Sequence, residues 1–234
     1  MAYYSYNRGG FFSSLPTVTK NLLIINVFML IFTCLNERFM VSTFALYYPT
    51  SPFFHWWQPL THMFMHGGFW HLFCNMFTLL MFGCSLERQW GPKKYLIFYF
   101  VTGLGAAALH TGVMWLQMHH YMNLIAEGGS VAAGAMAQIS ALKSVPTVGA
   151  SGAIYGVLIG FAMLYPDTRM TLIFPPVTLT AKWWVVIWLV IELFTGFTGM
   201  GGGVAHFAHL GGMLFGFLLI RFWKRKGTMY QYEQ

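Results

Sequence analysis

Six long apolar stretches, separated by shorter polar segments, dominate the chain. They cover roughly residues 21–36, 69–86, 95–118, 150–165, 181–197 and 203–222. A stretch of about 20 apolar residues with few charges is typical of a membrane-spanning helix. The pattern therefore predicts a six-span membrane domain over 21–222, preceded by a short tail over 1–20 and followed by a basic tail over 223–234.

Composition supports the same interpretation. Of 234 residues, 57% are hydrophobic and 8% are charged, against about a quarter charged in a soluble domain. The first apolar stretch follows a polar segment without a small-residue cleavage site, so we expect a span rather than a removable signal peptide. Cys34, Cys74 and Cys84 have no paired spacing and fall inside predicted spans, which favours small packing residues over a disulfide or a zinc site.

The distribution of positive charge predicts an orientation. One side of the predicted topology carries eleven Lys and Arg residues, and the other carries only Arg38 and Lys143. The side rich in Lys and Arg is normally cytoplasmic, so both termini are predicted to be cytoplasmic. Lys224, Arg225 and Lys226 would then meet lipid headgroups. We expect no nucleic-acid partner, because the pattern leaves no soluble basic face.

Polar residues gather near the outer ends of three predicted spans. They are His71 and Asn75 on the second, Ser151 on the fourth, and His206 and His209 on the sixth. Ionisable groups inside a membrane are costly and are candidates for function. With a rise of about 1.5 Å per residue, all three sets fall at similar depth. A serine and a histidine that meet there would suit nucleophilic catalysis.

Helical spacing indicates which of these groups can meet. Ser151 and Tyr155 are four residues apart and share a face, so Tyr155 could pack against a nearby imidazole. Two glycine ridges, Gly152-Gly156-Gly160 and Gly212-Gly216 below His209, would let two helices approach closely. Taken alone, the glycines are equally compatible with generic helix packing, and His209 with a buried histidine bonded to a carbonyl.

His71 and Asn75 also share a helical face. Imidazole and amide N–H groups suit the stabilisation of a developing oxyanion, and the amide of Ser151, at a helix start, lacks an intrahelical partner. A packing hydrogen bond between helices is the alternative for Asn75.

These motifs resemble those of the rhomboid intramembrane serine proteases. The chain carries the family's Gly-x-Ser-Gly-x-x-Tyr pattern from Gly149 to Tyr155 and its His-x-x-Gly-x-x-x-Gly pattern from His209 to Gly216. The second-span pattern is matched by His62, His66, His71 and Asn75. The resemblance implies an all-α, polytopic six-helix bundle that cleaves transmembrane segments near the outer face.

The resemblance also implies residue roles. Ser151 would be the nucleophile and His209 the general base; His71, Asn75 and the Ser151 amide would hold the oxyanion, and Tyr155 would support the base. It implies no cofactor and no metal. The expected partners are single-span membrane proteins and lipids, and the expected location is a bacterial inner (plasma) membrane. Substrate entry between the second and fifth spans is a further implication of the resemblance.

Two features depart from, or add nothing to, this resemblance. The family often carries Trp-Arg in the first outer loop, where this chain has Trp57-Gln58, so a loop contact made by that arginine is in doubt. Glu192 is the one carboxylate of six inside a predicted span, and the resemblance gives it no catalytic role. A serine–histidine dyad is therefore expected rather than a triad.

The pattern does not determine the structure of three connections. The aromatic loop over about 37–68 is typical of the membrane interface. The segment over about 119–146 is compatible with a surface helix, a re-entrant piece or a loop. The glycine run Gly201-Gly202-Gly203 is either a flexible lid or a plain turn.

Parts of the sequence are also compatible with three other functions. A metal site at His62, His66 and His71 is disfavoured, because no His-Glu-x-x-His segment or nearby carboxylate completes it. A channel would need a polar path through the whole membrane, whereas the polar residues gather at one end. A catalytically silent rhomboid-like protein that binds transmembrane helices is the closest alternative.

Overall fold

The computed structural model describes residues 10–129, 131–172, 176–199 and 204–229. The described residues are mostly helical, with one short hairpin. The α-helices are α1 Thr17–Leu35, α2 Glu37–Phe44, α3 Gln58–Thr61, α4 Phe69–Thr78, α5 Cys84–Trp90, α6 Pro92–Glu127, α7 Val131–Ser144, α8 Ser151–Leu164, α9 Ala181–Thr198 and α10 Ala205–Arg225. A π-helical segment, Leu79–Gly83, joins α4 to α5. The antiparallel strands β1 Arg169–Thr171 and β2 Thr178–Thr180 form the hairpin.

The predicted all-α, multi-pass membrane fold is confirmed. Among the described residues, five helices are long and apolar enough to cross a membrane: Thr17–Leu35, Phe69–Trp90, Pro92–Glu127, Ala181–Thr198 and Ala205–Arg225. The fourth predicted span is α8, with 14 residues. At about 1.5 Å per residue, α8 is about 21 Å long, shorter than the roughly 30 Å hydrocarbon core. Length therefore does not confirm the count of six, and the cytoplasmic termini remain a prediction.

Helix α8 is short because it lies inside the bundle. None of its residues is exposed, and it packs against α6 and α10. Protein therefore surrounds its backbone, so that it does not have to span lipid by itself.

Glycines set the spacing in this three-helix centre. A Cβ at Gly212 of α10 would overlap the carbonyl oxygen of Gly152 of α8. A Cβ at Gly152 itself would instead collide with Ala106 of α6, and one at Gly156 with Thr102 of the same helix. The glycine ridge on α8 thus faces α6, while the α8 backbone contacts α10. The sequence predicts the close approach of α8 and α10, but it does not predict which helix the α8 ridge faces.

Helix α9 is packed very differently. Of its 18 residues, the buried ones are Ala181, Val185 and Glu192. Trp183, Phe194 and Phe197 expose more than half of their surface. This helix therefore presents most of its apolar side chains outward.

The loop over 37–68 is folded, with α2, α3 and a 3₁₀ turn at His62–Phe64. The buried Gln58 holds it: its Oε1 accepts from the Tyr47 amide at 3.3 Å, and its Nε2 donates to the Phe53 carbonyl at 2.8 Å. Trp57 Nε1 donates to the Thr43 carbonyl at 2.9 Å. An uncharged amide thus anchors this loop, where the family often has an arginine.

Two further expectations meet the structure here. The open segment over about 119–146 is helical for most of its length, as the end of α6 and as α7, which packs against α6. Cys84 is buried as expected, but Cys34 and Cys74 lie at the surface. The latter two are therefore not packing residues, because the predicted spans turn those positions outward.

The Glu87 carboxylate ties the first two spans together. It is buried and accepts hydrogen bonds from the amides of Val18 and Thr19, at 2.8 and 2.7 Å, and from the Thr19 hydroxyl at 2.8 Å. An anion at a helix N-terminus satisfies amides that lack intrahelical partners. Glu87 thus has a structural role at the start of α1.

Candidate active site

Ser151 is the first residue of α8, and the segment before it is held from two sides. Gly149, with φ of 138°, donates its amide to the His62 carbonyl at 3.0 Å. Leu46 and Thr147 exchange backbone hydrogen bonds of 2.9 and 2.8 Å. The outer loop therefore fixes the turn that leads into the serine, and the positive φ at position 149 requires glycine.

His209, in the second turn of α10, meets this serine. Its Nε2 lies 2.9 Å from the Ser151 Oγ. The ring of Tyr155 stacks on the imidazole, with centroids 4.2 Å apart and planes 11° apart. The structure thus brings together the three residues that the spacing placed on facing helices.

The other predicted histidine of α10 lies elsewhere. His206 donates from Nδ1 to the Oε2 of Glu192 at 2.7 Å. It is therefore His209, and not His206, that contacts the serine.

Glu192 is the residue that the sequence interpretation left without a role. Its buried carboxylate lies on the far side of the imidazole from the serine, with Oε2 3.0 Å from His209 Nδ1. The N–H bond of Nδ1 does not point at this oxygen, so the close contact is not a hydrogen bond in the structure. Tyr155 donates its hydroxyl to the other oxygen, Oε1. The expected absence of a third group at the base therefore does not match the geometry.

A signal for Glu192 was present in the sequence. It is the sole carboxylate of a predicted span, and an intramembrane charge is a functional candidate by default. The sequence does not reveal whether Glu192 points into the bundle, because α9 has no continuous polar face that would distinguish its exposed side from its buried side.

His71 and Asn75 lie on α4, on the side of Gly149. The His71 Nδ1 accepts from the Gly67 amide at 3.3 Å, which in a neutral ring leaves the proton on Nε2. A Cβ at Gly149 would lie 3.0 Å from that Nε2 and 3.4 Å from the Ser151 Oγ. The His71 donor and the serine hydroxyl therefore face the same small space.

The Asn75 side chain is buried, and its Nδ2 has no hydrogen-bond partner among the described residues. A buried amide donor that is left unpaired is costly. The packing alternative predicted an interhelical hydrogen bond from this amide, and the described residues do not provide one. The Asn75 amide therefore keeps an unused donor beside the space that His71 and Ser151 face.

His110, which the sequence interpretation did not single out, connects the two helix starts. This buried side chain of α6 donates from Nδ1 to the Val204 carbonyl at 3.1 Å, and its Nε2 accepts from the Thr147 hydroxyl at 2.9 Å. It thereby braces the segments that precede both α8 and α10. Its place in the middle of a long apolar helix was the available signal.

His62 and His66 lie at the end of the folded outer loop. Both are buried, and the loss of water around them lowers the pKa of each to about 4. Each imidazole is thus neutral at pH 7.

The described residues place potential metal ligands elsewhere. The group of three side chains whose ligand atoms lie within 4.8 Å of one another is Glu192, His206 and His209. In the structure its close contacts are between a carboxylate and ring nitrogens, at 2.7 and 3.0 Å.

The fold and this site define a multi-pass helical membrane protein with a serine–histidine contact between two packed helices. Residues 54–226 match the family model described as the Rhomboid domain. That match covers most of the chain, and the chain belongs to the rhomboid family.

Several curated proteins are similar to this chain. RHOMBOID-like protein 4 of Arabidopsis thaliana is 30% identical over 165 residues, which are 70% of this chain and 33% of that protein. Rhomboid-like protease 3 of Toxoplasma gondii is 29% identical over 90 residues, 36% of this chain and 34% of that protein. Inactive RHOMBOID-like protein 8 of Arabidopsis thaliana is 38% identical over 48 residues, 20% and 14% respectively.

These similarities reach the family and no further. The chain spans about a third of the length of RHOMBOID-like protein 4. The printed names include a protease and an inactive protein, so family membership by itself does not decide between the two.

Proposed function

We propose that this protein is an intramembrane serine endopeptidase that cleaves transmembrane segments of membrane proteins near the outer face. The observation that carries the proposal is the 2.9 Å contact between Ser151 Oγ and His209 Nε2, partly buried between α8 and α10. A hydroxyl becomes a competent nucleophile when a base within hydrogen-bond reach takes its proton.

The first half of the reaction uses both residues. Ser151 Oγ attacks the peptide carbonyl while its proton passes to His209 Nε2, and a tetrahedral intermediate forms. His209 then gives that proton to the leaving amine, the C–N bond breaks, and an acyl-serine remains. In the second half, His209 takes a proton from water, whose oxygen attacks the ester carbonyl. His209 then returns that proton to Ser151 Oγ as the C–O bond breaks and the carboxylic acid product leaves.

The oxyanion of each intermediate needs donors that are already in place. The unpaired amide of Asn75, the Nε2–H of His71 and the backbone N–H at the start of α8 are the candidates. Tyr155 keeps the imidazole in one plane through its stacked ring.

The substrate that suits this site is a single-span helix whose outer end unwinds easily, because an intact helix hides its peptide bonds from a nucleophile. Lipids are the other proposed partner. The proposed orientation places both termini in the cytoplasm, from the charge bias, and the proposed location is a bacterial inner membrane.

A second candidate function is helix binding without catalysis. The match to Inactive RHOMBOID-like protein 8 favours keeping it. It differs from the protease in one consequence: Ser151 would not react with serine-directed reagents.

The test is labelling of the detergent-solubilised protein by a fluorophosphonate or isocoumarin probe, together with cleavage of a model transmembrane substrate. We expect labelling at Ser151 alone, and its loss together with cleavage in Ser151→Ala and in His209→Ala. Ser144→Ala, on the exposed face of α7, is the matched control and should behave as wild type. Full cleavage by folded Ser151→Ala would reject the protease, and absence of both labelling and cleavage in wild type would favour the silent helix binder.

A further inference from the structure

The Glu192 carboxylate is a buried ionisable group inside a predicted span, and three side chains contact it. It is 3% exposed. Oε2 lies 2.7 Å from His206 Nδ1 and 3.0 Å from His209 Nδ1, and Oε1 accepts from the Tyr155 hydroxyl. Burial of a charge in this way is unfavourable unless ion pairs and hydrogen bonds offset the loss of hydration.

We propose that Glu192 is a positioning residue for His209, so that the site works as Ser151–His209–Glu192 rather than as a two-residue unit. This inference rests on the proposed protease function. A carboxylate at Nδ1 keeps the proton on that nitrogen. Nε2 then remains the acceptor for the serine proton, and the imidazolium that forms during the attack is stabilised.

The surroundings of the carboxylate favour this role. His206 and Tyr155 each hold one oxygen, which fixes the plane of the carboxylate beside the His209 ring. The contact with Nδ1 is already 3.0 Å long, and only its direction is off line. A small rotation of either group would align it, and catalytic hydrogen bonds commonly tighten only when substrate is bound.

A purely structural tie is the competing explanation. Glu192 lies on α9, Tyr155 on α8 and both histidines on α10, so the carboxylate joins three helices. Such a tie depends on shape and hydrogen bonding, whereas the positioning role depends on negative charge beside Nδ1. Glutamine keeps the shape without the charge, and aspartate keeps the charge on a shorter side chain.

The experiment measures kcat and KM for a transmembrane substrate, and the rate at which a fluorophosphonate labels Ser151, in Glu192→Gln and Glu192→Asp. Thermal stability in detergent is measured in parallel. For Glu192→Gln we expect kcat and labelling to fall by about 10²-fold or more, with KM changed by less than about 3-fold. Glu192→Asp should retain more activity than Glu192→Gln.

Glu87→Gln is the matched control. It removes the charge of another buried carboxylate that joins helices, at the N-terminus of α1. It should lower thermal stability while leaving kcat of the folded fraction within about 3-fold of wild type, because it has no contact with the site.

Three results would overturn the proposal. They are a folded Glu192→Gln variant with kcat within about 3-fold of wild type, a loss carried by KM or by stability, and greater activity in Glu192→Gln than in Glu192→Asp. If the glutamine variant does not fold, the aspartate variant decides: near-normal kcat supports the role of the charge, and a loss equal to that of His209→Ala contradicts it. Ser151→Ala and the probe test the protease function separately. If Ser151→Ala loses activity while Glu192→Gln keeps wild-type activity, the role of Glu192 is rejected and the protease function is not.

Discussion

The three-helix centre and helix α9 contribute to one site, yet their packing is opposite in kind. In α8 no residue is exposed, and a single added methyl group on Gly212 would collide with backbone. In α9, three of 18 residues are buried. The proposed nucleophile and base lie on closely packed helices, whereas the carboxylate beside the proposed base lies on a helix with few buried residues.

The difference separates two requirements. Catalysis needs reacting groups held in a fixed geometry, and a displacement of about 1 Å can cost about 10²-fold in rate. Access for a substrate helix needs a wall that opens, and segments with few buried contacts open most readily. The close-packed centre meets the first requirement, and α9 is suited to the second.

The first prediction tests whether the buried Asn75 is a donor to the oxyanion. Asn75 is buried on α4, and the same helix exposes Phe73 and Phe77. Asn75→Ala should lower kcat by about 10²–10³-fold with little change in KM, because a donor to the transition state is lost. Steady-state kinetics on a transmembrane substrate would check this.

The control for Asn75 is the same substitution at Asn26. That buried side chain of α1 donates to the Leu22 carbonyl at 2.7 Å. Asn26→Ala should reduce stability and leave kcat unchanged. Equal losses of kcat in both variants would return Asn75 to a packing role.

The second prediction concerns the spacing of the centre. Gly212→Ala places a Cβ against the Gly152 carbonyl, which is backbone and cannot move aside. Overpacking of this kind costs about 1–3 kcal/mol. Because Gly212 lies one turn from His209, labelling of Ser151 should fall by about 10²-fold. Thermal stability and probe labelling together would check this.

Gly112→Ala is the matched control on α6, since nothing lies within 4 Å of a Cβ added there. It should be neutral or slightly stabilising, because alanine is favoured over glycine in helices by about 1 kcal/mol. If Gly212→Ala also proves neutral, the contact between α8 and α10 has slack that the structure does not suggest.

The sequence predicted the centre far better than it predicted α9. Ser151, Tyr155 and His209 could be placed because four-residue spacing and glycine ridges carry helical periodicity. Gln58 and His110 could not be placed, because no periodic pattern links them to partners such as the Tyr47 amide and the Val204 carbonyl. The length of α8 could not be predicted either, because an apolar stretch has the same composition whether it is buried inside a helix bundle or spans lipid.

Glu192 and the lid illustrate two other limits. The depth of Glu192 was readable, but the side of α9 that faces the centre was not, because that helix is apolar on every side. The glycine run Gly201-Gly202-Gly203 lies outside the described residues, so its interpretation as lid or turn remains a prediction. The implied entry route between the second and fifth spans also remains one.

The third prediction asks whether α9 is the wall that opens. Phe197 exposes 78% of its surface and contacts α10 edge-to-face through Phe207, with centroids 5.8 Å apart. Such a ring pair contributes about 0.5–1.5 kcal/mol. Its loss in Phe197→Ala should favour the displaced helix and speed cleavage of a transmembrane substrate by about 2- to 10-fold, since 1.4 kcal/mol corresponds to tenfold.

Two readouts separate opening of α9 from damage to the site. A small probe does not need α9 to move, so labelling of Ser151 in Phe197→Ala should stay within about 2-fold of wild type. Phe194→Ala is the control, because that ring is exposed on the same helix and should change neither rate. If labelling and cleavage fall together, loosening α9 has withdrawn Glu192 from His209, and the carboxylate requires the helix in its closed position. If neither rate changes, α9 does not limit entry, and the contrast in packing has no part in access.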